Sequence, residues 1–328
     1  DLKYLYGSLN NCKKKYIDTL FLSPLLFPKK PYHKLLKDDK ICSDEFNNPV
    51  NDSIKSKELF FSEIAQWEEL PPNLKTIFHE LLKEKNEFKY FFEFIDFNQY
   101  ENYHLESLIF QTFNNKICAN ASLSELIRNT PVELAYALAL INVDDYHSLT
   151  PPWLIKTYPE IEFVIKSLRN TFCNSCSYCI EKTDVHKNLK QIFNYEKFRT
   201  FEGEPIQENA IKAAVKGESL LTIFPTGGGK SLTFQLPAIM SGRNFGGLTI
   251  IISPLQSLMK DQVDNLTERN ITDAVTINGL LDPISRSEAI RRVEDGMATM
   301  LYISPELLRS KTIERIIMKR NVVRFVIR

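Results

Sequence analysis

Two hydrophobic periodicities divide this chain. Up to about residue 170 the apolar positions recur at helical spacing. In the stretch from Asp52 to Ile64, the residues Ile54, Leu59, Phe60 and Ile64 fall roughly on one face. Leu74, Ile77, Phe78, Leu81 and Leu82 repeat in the same way, as do Leu123, Leu126 and Ile127, then Val132, Leu134, Leu138 and Leu140. Pro71-Pro72, Pro131 and Pro151-Pro152 punctuate these stretches. From Asn188 the texture changes. Short apolar runs at 219–224, 248–253, 273–277, 299–303 and 322–327 alternate with amphipathic stretches of helical length. That alternation predicts an α/β unit whose parallel sheet carries helices on both faces. The middle of the chain, 65–170, reads as a helical connector, and its aromatic run from Phe88 to Tyr103 reads as core packing.

The first of the short runs leads into SLLTIFPTGGGKSL, Ser219 to Leu232. An apolar strand, three glycines, Lys230-Ser231 and a helix start follow one another in the order a phosphate site needs. Glycines let the backbone curl so that several N–H groups point at one anion, and a helix N-terminus adds positive potential. Lys230 then reaches the β- and γ-phosphates of a nucleotide, and the Ser231 hydroxyl ligates Mg²⁺. Thr226, Gly227, Gly228 and Gly229 form the cradle. A phosphate loop after the first strand makes 188–328 a RecA-like lobe.

The 328 residues suit two or three domains, with 43% hydrophobic and 25% charged residues. No apolar run approaches the length of a membrane span, so no membrane contact is expected. Formal net charge is zero. Any nucleic-acid contact must therefore come from a local patch rather than a global field. Three of the six cysteines fall together as Cys173, Cys176 and Cys179, a C-x2-C-x2-C spacing followed by His186. These four would suit tetrahedral Zn²⁺, the triple spacing also suits an iron–sulfur site, and a plain group of buried thiols is the third possibility. Cys118 or Cys42 could supply a further ligand in space. Such cysteine usage points to a reducing compartment, hence the cytoplasm.

The C-terminal part resembles the RecQ family of superfamily 2 DNA helicases in motif order and spacing. Ile192 to Arg199, IFNYEKFR, looks like the aromatic motif that precedes the phosphate loop in that family, with Phe198 and Arg199 at its end. Gln207 resembles the glutamine that reads adenine; here Thr200 to Ile206 separate it from Arg199, a longer spacing than the family's. FPTGGGKSLTFQLP, Phe224 to Pro237, is similar to the family's phosphate-loop motif. SPLQSLMKDQV, Ser253 to Val263, resembles motif Ia, and YISPELL, Tyr302 to Leu308, resembles motif Ib. The resemblance implies that Ser253, Pro254, Leu255, Ser257 and Lys260, with Ser304, Pro305 and Glu306, hold DNA phosphates at two strand-to-helix turns. It further implies a 3′–5′ DNA helicase driven by ATP and Mg²⁺, acting on single strands and duplex junctions in repair or recombination. The Asp-Glu-Ala-His motif that follows the last strand in that family is absent, so this stretch alone is expected to be inactive as a motor.

The N-terminal stretch, 1–64, resembles the later part of a DnaQ-like 3′–5′ exonuclease, an RNase H-like fold. Asp1, the Asp18-Thr-Leu signal and Asn47 to Asp52 match its later motifs. The resemblance gives Asp1 and Asp52 as carboxylates for the two metal ions of that chemistry. The family's opening Asp-x-Glu pair is missing, and Asn47 stands where its general-base His is common. The expected division is therefore an exonuclease segment (1–64), a helical connector (65–170), a cysteine knuckle (171–187) and a helicase lobe (188–328). Two further readings compete with the motor. One is an ATP-sensing DNA-binding module, and the other an exonuclease served by a helicase lobe.

Overall fold

The computed structural model describes residues 15–30, 49–97, 104–143, 154, 157–170, 173, 175–225, 227–279 and 281–328. The first half is helical. Helices α1 (Thr19–Leu26), α2 (Pro49–Glu69), α3 (Pro72–Leu82), α4 (Lys89–Phe94), α5 (Leu105–Thr112), α6 (Leu123–Asn129), α7 (Pro131–Val143) and α8 (Ile161–Arg169) bury their apolar faces in one core. Trp67 sits at its centre with Phe91, Phe92 and Phe97 edge-on around it at 5.8, 5.4 and 5.2 Å. Each such fully buried side chain stabilises the fold by about 1.5–3 kcal/mol. The described part of the aromatic run thus packs as core, although Phe94 stays 59% exposed.

Two expectations for the N-terminal segment give way here. The Asp18-Thr-Leu signal, which leads a strand in the exonuclease family it resembles, does not do so here. Asp18 caps α1, accepting a hydrogen bond from the Leu20 N–H at 3.0 Å. The boundary expected at residue 64 falls inside α2. Leu22, Leu25 and Leu26 of α1 share the core of the following helices, and the Tyr136 hydroxyl of α7 donates to the Phe21 carbonyl at 2.8 Å. The apolar faces of α1 and α2 are therefore completed by the middle of the chain.

The second half is an α/β lobe. In chain order it holds α9 (Ser177–Thr183), α10 (Val185–Phe193), α11 (Ile206–Val215), α12 (Leu232–Phe245), β1 (Leu248–Ile252), α13 (Gln256–Thr267), β2 (Ala274–Ile277), α14 (Pro283–Glu294), β3 (Met300–Ile303), a 3-10 turn (Pro305–Arg309), α15 (Lys311–Lys319) and β4 (Val322–Ile327). The strands pair in parallel in the order β2-β3-β1-β4. Alternation along each strand feeds two cores. Ile251, Met300 and Tyr302 pack on the side of α10 to α13, and Ile250, Leu301 and Ile303 on the side of α14 and α15. Helices therefore cover both faces, as the strand–helix alternation predicts.

The run 219–224 is a correction. It is not a strand: Leu221 and Ile223 are 89% and 86% exposed, and only Phe224 turns inward. An apolar run becomes a strand only beside a neighbour that takes its backbone hydrogen bonds. Strand β1 is already paired on both sides, by β3 and β4. Among the described residues no strand pairs with the outer edge of β4. No described helix is long and apolar enough to cross a membrane.

Candidate nucleotide site and cysteine centre

The phosphate loop is a tight turn ending at the start of α12. The Gly228 N–H donates to the Pro225 carbonyl at 3.0 Å. Ser231 occupies the N-cap position of α12, and Lys230 beside it is exposed. Gly229 and Ser231 line a cavity of about 510 Å³, together with Tyr195, Arg199, Gln207, Gln235, Gln262 and Arg269. Thr226 lies outside the described residues.

Gln207 is 1% exposed and welds this wall together. Its Oε1 accepts from the Arg199 N–H at 2.9 Å, and its Nε2 donates to the Gly229 carbonyl at 3.1 Å. Arg199 in turn donates through Nη1 to the Gly227 carbonyl. Gly229 has φ +76°, and a Cβ there would come within 2.5 Å of Gln207 Nε2. Only glycine lets the loop and the carboxamide approach so closely. The extra residues between Arg199 and Gln207 are looped out. Phe201 and Glu204 exchange backbone hydrogen bonds at 3.0 and 2.9 Å around Glu202 and Gly203, both with positive φ. This is the turn that lets a chain reverse within two residues. Phe198 is buried at the cavity's edge, with its ring 5.1 Å from that of His186.

A second polar cluster ties three motifs together. Gln235 of α12 donates through Nε2 to Gln262 Oε1 of α13 at 3.0 Å and to the Tyr302 hydroxyl of β3 at 3.3 Å. Burial pushes the Tyr302 hydroxyl up to about 12, with Gln235 opposing it. Gln235, Gln262 and Tyr195 line the candidate site although the sequence reading gives them no role. Each lies inside one of the quoted motifs, but their link is spatial, and Tyr195 is exposed by 40% on the cavity wall.

The two strand-end turns lie side by side, because Ile252 of β1 is in register with Ile303 of β3. Pro254, Leu255, Ser257 and Lys260 are exposed at the first, and Pro305 and Glu306 at the second. Ser253 and Ser304 are not. They are 2% and 1% exposed, since each finishes a sheet strand. The Ser253 N–H donates to the Ile303 carbonyl at 3.0 Å, and its Oγ accepts from the Leu255 N–H at 3.4 Å. That N–H is therefore already taken by the sheet. The second turn opens a 3-10 helix, not an α-helix.

The sequence profile of the DEAD/DEAH box helicase family matches residues 204–327. Over 130 residues the chain is 40% identical to the ATP-dependent DNA helicase RecQ of Haemophilus influenzae, covering 40% of this chain and 19% of that one. It is 42% identical over 130 residues to the RecQ of Bacillus subtilis, covering 39% and 20%. It is 36% identical over 149 residues to the ATP-dependent DNA helicase Q5 of Rattus norvegicus, covering 44% and 14%. Residues 204–327 are thus similar to the helicase lobe of RecQ-type proteins. The match spans about a fifth or less of the length of these relatives.

Just ahead of this lobe the four thiols of Cys118, Cys173, Cys176 and Cys179 converge, their sulfurs all within 4.8 Å of one another. Cys118 and Cys179 are buried, and Cys173 and Cys176 half-exposed. The Cys173 thiol is held down to about 6 by the Ser175 hydroxyl first, then by the Ser175 and Cys176 N–H groups. His186 is not part of this group. It faces Glu208 of α11, Nε2 to Oε1 at 2.9 Å, because α10 carries it toward the nucleotide side. The Glu208 carboxyl lies below the usual range, through Lys212 first and His186 second. Of the expected exonuclease carboxylates, Asp1 and the side chain of Asp52 lie outside the described residues. Asn47 and Cys42 do as well.

Proposed function

We propose that the lobe binds ATP–Mg²⁺ at the phosphate loop and serves a 3′–5′ DNA helicase of RecQ type. The observation that carries this reading is Gln207, whose carboxamide joins Arg199 to the phosphate loop at the edge of the cavity. A nucleotide entering there meets Gly229 and Ser231 on the wall. Lys230 is the charge for its phosphates and Ser231 the hydroxyl for Mg²⁺. Bound Mg²⁺ neutralises phosphate charge. The residues fit this load: a cationic side chain, a hydroxyl and a loop as tight as glycine permits. Single-stranded DNA runs over the two adjacent turns at Pro254–Lys260 and Pro305–Glu306, held by its backbone without base reading. The Gln235 cluster connects that track to the cavity. Besides nucleotide and Mg²⁺, the reading includes a metal at the cysteines, zinc or iron–sulfur.

Titration with a fluorescent ATP analogue at fixed Mg²⁺ tests the site. Lys230→Ala removes a charge-assisted contact worth about 1.5–3 kcal/mol, so affinity should fall roughly tenfold to a hundredfold. The exposed position predicts an unchanged melting temperature. A folded variant with wild-type affinity would refute the assignment.

A further inference from the structure

The four-cysteine centre lies where the helical half meets the lobe. Cys118 belongs to the loop after α5. Its N–H donates to the Leu168 carbonyl at the end of α8, at 2.8 Å. Cys173 and Cys176 lie in the connection from α8 to α9, and Cys179 lies in α9. From α9 the Tyr178 hydroxyl donates to Asn244 Oδ1, near the end of α12. Arg169 Nη1 donates to the Asn244 carbonyl at 3.0 Å, and Asn244 Nδ2 returns a bond to the Arg169 carbonyl at 3.2 Å. The thiols thus come from both sides of a junction whose other bonds end on the helix that starts at the phosphate loop.

The spacing separates a single four-coordinate ion from a cluster. Four sulfurs around one Zn²⁺ at about 2.3 Å form a tetrahedron with edges of about 3.8 Å. Cys176 and Cys118 are 3.9 Å apart, and no pair exceeds 4.8 Å. A multi-iron cluster is itself larger than one ion and holds its thiolates further apart. A thiolate set also needs hydrogen-bond donors, since four negative charges surround a double positive one. They are present. Asn120 Nδ2 donates to Cys173 Sγ at 3.1 Å and the Asn120 N–H to Cys118 Sγ at 3.3 Å. The N–H groups of Ser175 and Cys176 donate to Cys173 Sγ, and that of Cys179 to Cys176 Sγ, each at 3.4 Å. The half-exposed pair Cys173 and Cys176 leaves a route in for the ion.

We propose that Cys118, Cys173, Cys176 and Cys179 hold a single tetrahedral Zn²⁺ that staples the helical half to the back end of the phosphate-loop helix. This rests on the metal reading of the cysteines and goes beyond it in naming the ion, the fourth ligand and the task. Loading releases up to four thiol protons as four S–Zn bonds form, with no change of oxidation state. Without the ion four mutually close thiols remain, and the connection between α8 and α9 loses its cross-link to the loop after α5.

The test has two layers. Elemental analysis of the purified chain should give about one zinc per chain. Co²⁺ added to the chelator-stripped protein should give the visible bands of a tetrahedral tetrathiolate site. Cys118→Ser should lose the ion, whereas His186→Gln should keep it. Iron with its visible absorbance, or a chain that neither retains zinc nor takes up Co²⁺, would overturn the metal assignment. The staple is read separately, by amide exchange at Arg169, Asn244 and α9 before and after chelation of the wild type. Exchange there should rise at least tenfold on zinc removal while the β1 and β3 amides stay protected. Zinc present but removable with no change in exchange would leave the ion and overturn the staple. Cys118→Ser can fail to fold, and the chelation arm on wild type does not depend on it.

Discussion

Glu162 and Arg320 are 158 residues apart in sequence and 2.9 Å apart in space, carboxylate to guanidinium. Arg320 is buried, its side chain 1% exposed, and Glu162 sits on α8 of the helical half. The second Glu162 oxygen accepts the Asn321 N–H at 2.9 Å, at the entry to β4. Arg320 spends its other donors on the carbonyls of Val293 and Gly246. One carboxylate therefore orients the α15–β4 connection. Removing it leaves a buried charge with carbonyls alone. Glu162→Ala should cost about 3–5 kcal/mol, the usual penalty for an orphaned buried ion. Chemical denaturation would read it, with Glu162→Gln recovering part of the loss.

The phosphate loop offers a paired test at two glycines. Gly229→Ala would drive a methyl group into Gln207, so nucleotide affinity should fall although no polar group is lost. Gly203→Ala, at φ +87° with open space around it, should cost about 1 kcal/mol of stability and leave the affinity unchanged. The two variants assayed with the same ATP analogue distinguish contact from backbone strain. Equal losses of affinity would count against the role given to Gln207.

On the proposed DNA track Ser257 is the position to probe, being exposed on α13. Ser257→Glu should weaken single-strand affinity, and the loss should shrink as salt rises. The wild-type salt slope should be about −0.7 per phosphate neutralised, and small overall for so few contacts. Ser304→Glu is uninformative, because that side chain is buried. Fluorescence anisotropy over a salt series reads both effects.

Glu63 sets a pH dependence in the helical half. Its carboxylate is wholly buried, and neither oxygen has a hydrogen-bond partner among the described residues. Burial pushes its pKa from 4.5 up to about 9, with Lys30 pulling it down and Asp18 pushing it up. Between those values the folded chain holds a proton that the unfolded chain has released. Stability is therefore highest below the lower value and falls as pH rises toward the higher one. Glu63→Gln is neutral throughout. Melting temperatures from about pH 5 to about pH 8 should fall more steeply for wild type than for the variant.

The glycine turn before α12, the two Ser-Pro turns at strand ends and four of the five expected strands are legible in the sequence because each is a local pattern. A run of β-branched residues or a Ser-Pro turn reports on its own backbone. The run at 219–224 misled because its apolarity says nothing about a pairing neighbour. Ser253 misled because a polar residue at a strand end can be consumed by the ladder it closes, and Ser304 because it is buried where its strand ends. Cys118 was one of two candidates for a further thiol. Its separation from Cys173, more than fifty residues, leaves no periodicity to choose it over Cys42. The role of Gln235, though it lies inside a quoted motif, is illegible for the same reason: its partners lie on two other elements, 27 and 67 residues away.

The turn at Glu202-Gly203 bears on how such chains drift apart. It stands off the cavity wall as a spur, and its two ends are already closed by backbone hydrogen bonds. Residues can be gained or shed at its tip while Arg199 and Gln207 keep their contact. Length variation in this interval then need not disturb the cavity wall. Two homologues with different counts between the arginine and the glutamine can share one binding wall, so their alignment is best anchored on the contact and the gap placed in the spur.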